Sequence, residues 1–248
     1  MNWFNVVGMI SSFSLFLPVI FILALRLGWY KSFPALLVYY TITFGFNLLS
    51  LDFIKADKNF IYYYGVANNL LDAPLMLSFM IYFSKTALFR KKLKLLIPVF
   101  LLFEIIVIAI YGFNIRAAII VLGPGLLLVL GFSLLFFVHQ AKITIVHQKA
   151  AGKALMVASL LFAYGGYSFI YVVYYILKTP YKTDTFLVYY LITIFSSVLI
   201  SAGIIYERKR VRELMELQTA RKELKVIYGR AEETKTALSK KEPRFKPL

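Results

Sequence analysis

Apolar residues run along this chain in long blocks separated by short polar breaks. Seven blocks stand out, at about 4–25, 34–54, 61–83, 95–113, 117–138, 153–177 and 185–206. A helix needs about 20 apolar residues to cross about 30 Å of hydrocarbon. Backbone in lipid must satisfy its own hydrogen bonds, and a helix does so within one segment. The alternating signature of a membrane β-barrel is absent. The pattern therefore predicts an all-α polytopic membrane protein, with seven transmembrane helices within residues 1–206. No basic region precedes the first block and no small-residue cleavage site follows it, so it reads as a retained span.

Composition agrees. Hydrophobic residues make up 60% of the 248 and charged ones 16%, against about half and about a quarter in soluble domains. The net charge of +16 would suggest nucleic acid in a soluble protein. Here its placement argues for membrane topology and against nucleic acid. The first, third and fifth breaks carry ten Lys and Arg between them, including Lys85, Arg90–Lys94 and Lys149, whereas the alternate breaks, with Lys178 among theirs, carry five. Cytoplasmic loops are enriched in Lys and Arg. The expected orientation is N-terminus out and C-terminus in, in a bacterial inner (plasma) membrane.

After Ile205 the composition turns charged. Residues 207–229 read as a cytoplasmic juxtamembrane helix, with Lys209/Glu213 and Arg212/Glu216 as (i, i+4) pairs. Residues 230–248, with Pro243 and Pro247, read as a disordered basic tail. A partial stripe of Val211, Leu214, Leu217, Leu224 and Ile227 is interrupted by Arg221 in a heptad frame. Two partners fit this helix. One is anionic lipid, attracted by about 1 kcal/mol per surface cation. The other is a protein, either a signalling partner or a second copy of this chain.

Polar groups inside the blocks are the candidate chemistry. Span three contains NNLLDAP, residues 68–74. Asn68 and Asp72 are four apart and Asn69 and Asp72 three apart, so all three point within one sector. Pro74 deprives the Leu70 carbonyl of its amide donor, so the helix should kink or loosen. At 1.5 Å per residue, Asn47 and Asn68 share a layer about 10 Å from the outer face, with Asp72 about 16 Å deep and Glu104 near the midplane. Tyr164, Tyr167, Ser168, Ser196 and Ser197 fall in the same central zone. A carboxylate at the bilayer centre costs about 2.5–3.5 kcal/mol and normally faces the bundle interior. No Lys or Arg shares this depth, so Asp72 and Glu104 are either protonated or held by water, Tyr hydroxyls and amides. The cluster reads as interhelical glue or as a pocket lined by Asn47, Asn68, Asn69, Asp72, Glu104, Tyr164 and Tyr167. The glycines at 123, 125, 131, 165 and 166 read as sites of close helix approach.

The ELMELQTARKEL run, residues 213–224, resembles the linker that follows the last membrane helix in bacterial sensor histidine kinases. No phosphoacceptor histidine or ATP-binding motif follows it, so the likeness implies an input module without its output. NNLLDAPLML is similar to the third-helix pattern of microbial rhodopsins, with Asn68 at the counter-ion position and Asp72 at a threonine position. Span seven has no lysine for a retinal Schiff base, so the resemblance implies a retinal-free relative. Three-plus-one-plus-three sugar transporters share the span count, but no convincing internal repeat is present.

These observations predict a non-enzymatic, receptor-like sensor whose polar pocket is coupled to the 207–229 helix. The alternative is a small-solute or proton-coupled transporter using Asp72 and Glu104. No HExxH, Walker A, GxGxxG or GxSxG pattern occurs. The absence of cysteine excludes disulfides and thiol chemistry. His139 and His147 suit a surface role better than a metal site, so neither metal nor cofactor is expected.

Overall fold

The computed structural model describes residues 3–84, 86–147, 150–177 and 182–239. Lys85, Lys149, Lys178 and residues 240–248 of the tail lie outside them, as does the His147 side chain. The order is α1 (Trp3–Ala24), α2 (Phe33–Ser50), α3 (Lys58–Met80) with a 3-10 turn (Ile81–Phe83), α4 (Ala87–Tyr111), α5 (Ile115–His147), α6 (Ala151–Tyr171) with a π-helical turn (Val172–Ile176), and α7 (Lys182–Ser239). No strand occurs among the described residues. Seven helices are long and apolar enough to cross a membrane.

Local chemistry sets the ends. The Asp57 side chain accepts from the Asn59 amide at the start of α3, and Thr86 does the same for Phe89 before α4. Pro34 occupies the first turn of α2, where its missing N–H costs nothing. Some expected limits move. Leu51, Phe53 and Ile54 are apolar but leave the helix, with Asp52 at a φ of 57°. The Thr86 cap draws the basic run Arg90–Lys94 into α4. The helix passes through Pro74 to Met80 without a break. α7 continues past residue 229 to Ser239, because residues 230–239 are mostly good helix formers.

Residues 1–207 form one compact unit and residues 208–248 a second, so the boundary at 206/207 falls within an unbroken helix and leaves Glu207 with the bundle. In the first unit, helices adjacent in sequence pack side by side, and α3 additionally packs on α5. Contacts run antiparallel: Phe46 stacks on Tyr64 between α2 and α3, while Ser159 donates to the Ser196 carbonyl between α6 and α7 at 2.6 Å. Tyr190 of α7 reaches Gly8 of α1. Side chains such as Leu102, Ile105 and Ile110 of α4 stand exposed, as lipid-facing positions must. This is a multi-pass membrane architecture.

Close approach uses glycine, as expected. A Cβ at Gly125 would lie 2.9 Å from Ala73 Cβ, and one at Gly123 would lie 2.8 Å from the Tyr171 hydroxyl. Gly131 has nothing within 4 Å, so close packing is not its role. The tightest backbone approach is elsewhere. A Cβ at Gly152 would lie 2.5 Å from the Glu207 amide nitrogen and 2.8 Å from the Gly203 carbonyl oxygen. Neither backbone group can rotate away. Gly152→Val should lower unfolding stability by about 1–3 kcal/mol, read as a fall in thermal midpoint in detergent, whereas Gly131→Ala, which meets nothing, should not lower it.

Candidate functional site

Four helices turn polar stripes toward the bundle interior. On α2, Tyr39, Thr43 and Asn47 recur every fourth residue. On α3 the stripe is Asn68, Asn69 and Asp72. On α6 it is Tyr164, Tyr167 and Tyr171, continued by Tyr175 in the π turn. On α7 it is Tyr189, Thr193 and Ser196. Residues three, four or seven apart share a helix face.

The stripes converge on a cavity of about 180 Å³. It lies toward the end of the bundle that carries the α2–α3, α4–α5 and α6–α7 connections. Its polar lining comprises Tyr39, Thr43, Asn68, Asn69, Asp72, Tyr167, Tyr171, Tyr175 and Tyr189, with Leu122, Leu126 and Ile170 as apolar wall. Gly123 lets Tyr171 lie against α5, where its hydroxyl donates to the Ile119 carbonyl at 3.2 Å. The π turn places Tyr175 at the cavity and its ring against Tyr171. Such single π turns recur at functional sites.

Asp72 is the hub. Tyr164 donates to its Oδ1 at 2.6 Å, and Tyr39 lines the same cavity. Thr43 donates to Asn68 Oδ1 at 3.2 Å. The Tyr167 hydroxyl pairs with Thr193 at 3.2 Å, and its ring lies 5.5 Å from that of Tyr189. Thr43, Tyr164, Tyr167 and Tyr171 each bond to another helix, as the cost of burying a lone polar group in hydrocarbon favours.

Of the seven expected residues, Asn68, Asn69, Asp72 and Tyr167 line the cavity. Tyr164 sits beneath it, bonded to Asp72. Asn47 is buried beside it, donating to the Thr43 carbonyl at 3.1 Å and within reach of the Tyr189 hydroxyl. Glu104 departs from expectation. It is buried but does not line the cavity, and its Oε1 has no hydrogen-bond partner among the described residues. It lies close enough to Asp72 for the two carboxyls to sense each other's charge. Sequence reasoning missed Tyr39, Thr43, Tyr171, Tyr175 and Tyr189. The tyrosine spacing on α6 was the available signal.

No protein-family model, curated protein or solved structure matches the chain. Among the described residues no group of three or more His, Cys, Asp or Glu is placed to hold a metal.

A second polar cluster occupies the opposite end of the bundle. The Tyr82 hydroxyl donates to Glu207, which is fully buried. Lys153 Nζ lies 4.4 Å from the centroid of the Tyr82 ring, a cation–π distance. This cluster joins the 3-10 turn after α3 to α6 and α7.

The Asp72–Tyr164 bond can be measured. Tyr164→Phe, Asp72→Asn and the double variant form a cycle that isolates the pair. Chemical unfolding should give a coupling energy of about 0.6–1.7 kcal/mol. A value near zero would remove this bond from the account of the fold.

Proposed function

We propose that the chain is a receptor-like membrane sensor, with its N-terminus outside and its C-terminus in the cytoplasm. The 180 Å³ cavity is then an outward-facing ligand pocket, and α7 reports its occupancy to the cytoplasm. The observation that carries the reading is the reach of α7. Tyr189 lines the cavity, and the same helix runs without a break to Ser239. No proline or glycine occurs between Gly203 and Gly229, so nothing in that stretch invites a kink. A ligand that favours one position of Tyr189 and Tyr167 biases α7 by its differential affinity for the two positions.

The Lys and Arg distribution supports the orientation. Beyond the bundle, Arg212 and Glu216 pair at 2.9 Å, and Leu214, Leu217 and Leu224 are exposed. These features suit a helix lying on anionic lipid or docking on a cytoplasmic partner. The native chain has no cysteine, so single reporters are clean. A Lys55→Cys variant should react with a membrane-impermeant maleimide on intact cells, and Thr86→Cys only after permeabilisation. The reverse pattern would invert the orientation.

A second reading, a solute- or proton-coupled transporter, is favoured by one observation: Glu104 is buried with an unpaired oxygen near Asp72. Proteoliposomes separate the two. A sensor should catalyse no flux of solute or protons, and truncation after Glu207 should abolish partner coupling while leaving the bundle folded. Flux abolished by Asp72→Asn would establish the transporter.

A further inference from the structure

We infer that the cavity binds a small organic ammonium ion, with Asp72 as counter-ion and the tyrosine rings as an aromatic wall. This rests on the reading of the cavity as a ligand site and adds the chemical class of what enters it.

The described lining holds one carboxylate and no Lys, Arg or His. The group that does meet Asp72 is a neutral hydroxyl, from Tyr164. It orients the carboxylate without balancing its charge. Glu104 lies nearby, equally without a cation on its Oε1. Inside a low-dielectric bundle the charge of an ionised Asp72 is strongly felt. What the site lacks is a positive charge, and the wall is suited to one. Five tyrosines line the cavity, and contacts such as Tyr167–Tyr189 and Tyr171–Tyr175 hold their rings in mutual register. Aromatic faces attract ammonium groups through the ring quadrupole, the basis of aromatic cages for choline and methyl-lysine. Leu122, Leu126 and Ile170 accept an apolar body, and Asn68 and Asn69 supply amide groups for a remaining polar substituent. The volume is a little above the roughly 150 Å³ of an engineered cavity that admits benzene. A single-ring or short-chain ammonium fits.

Free solutes and aminophospholipid headgroups both carry this chemistry. The test uses the full chain in lipid nanodiscs and an isosteric charge series: benzylammonium, benzyl alcohol and benzoate, titrated by calorimetry. Benzylammonium should bind at least tenfold more tightly than either, and Asp72→Asn should erase the preference. Tyr175→Leu removes a ring from the wall and should weaken benzylammonium severalfold, and Tyr175→Phe, which keeps the ring, should weaken it less. These two variants decide the matter where Asp72→Asn does not fold. Nanodiscs of phosphatidylglycerol alone are compared with discs containing phosphatidylethanolamine. Weaker benzylammonium binding in the second identifies a competing headgroup, and equal binding identifies a free solute. Benzyl alcohol binding as tightly as benzylammonium, or no binding of benzylammonium, overturns the ammonium assignment. Either result leaves the sensor reading standing, because that reading is decided by flux and by truncation after Glu207.

Discussion

The hydrogen bond from Tyr164 to Asp72 joins α6 to α3 at the base of the cavity. In water such a bond is one of many a side chain can make. Between lipid-embedded helices the alternatives are few, and a carboxylate left alone there is costly. Around this bond the other polar contacts take their places: Thr43 on Asn68, and Tyr167 on Thr193. α3 sits where it can reach all of them, packed against α2, α4 and α5. The result is an interior whose polar groups satisfy one another on several sides and leave a gap in the middle. Interhelical glue and pocket are therefore one arrangement, with the glue forming the wall of the pocket.

The seven spans were legible because lipid imposes a simple rule of length and apolarity, and residues such as Leu102 and Ile110 obey it openly. Their ends were less legible, because ends answer to local hydrogen bonding. Leu51, Phe53 and Ile54 are apolar but non-helical, while the basic Arg90–Lys94 run is helical behind the Thr86 cap. The polar site was legible on α3, where Asn68, Asn69 and Asp72 break an apolar run conspicuously. It was half legible on α6. Tyrosine suits both membrane interfaces and cavity walls, so Tyr171 and Tyr175 gave an ambiguous signal despite their spacing.

Partnerships between distant helices could not be read from sequence. Which tyrosine meets Asp72 depends on the register of α6 against α3. Contacts such as Gly123 on Tyr171 and Gly125 on Ala73 set that register, and no local pattern encodes them. Glu207 shows the same limit. In sequence it opens a charged tail. In the fold it is fully buried in the bundle, accepting from Tyr82 across 125 positions.

The contact of Gly152 with Gly203 has a mechanical meaning. Two helices touching backbone to backbone are hard to slide or separate at that point, yet they can rock about it. The glycine crossing therefore anchors α7 against α6 at one end of the bundle, about 21 Å of helix from the cavity wall at Tyr189.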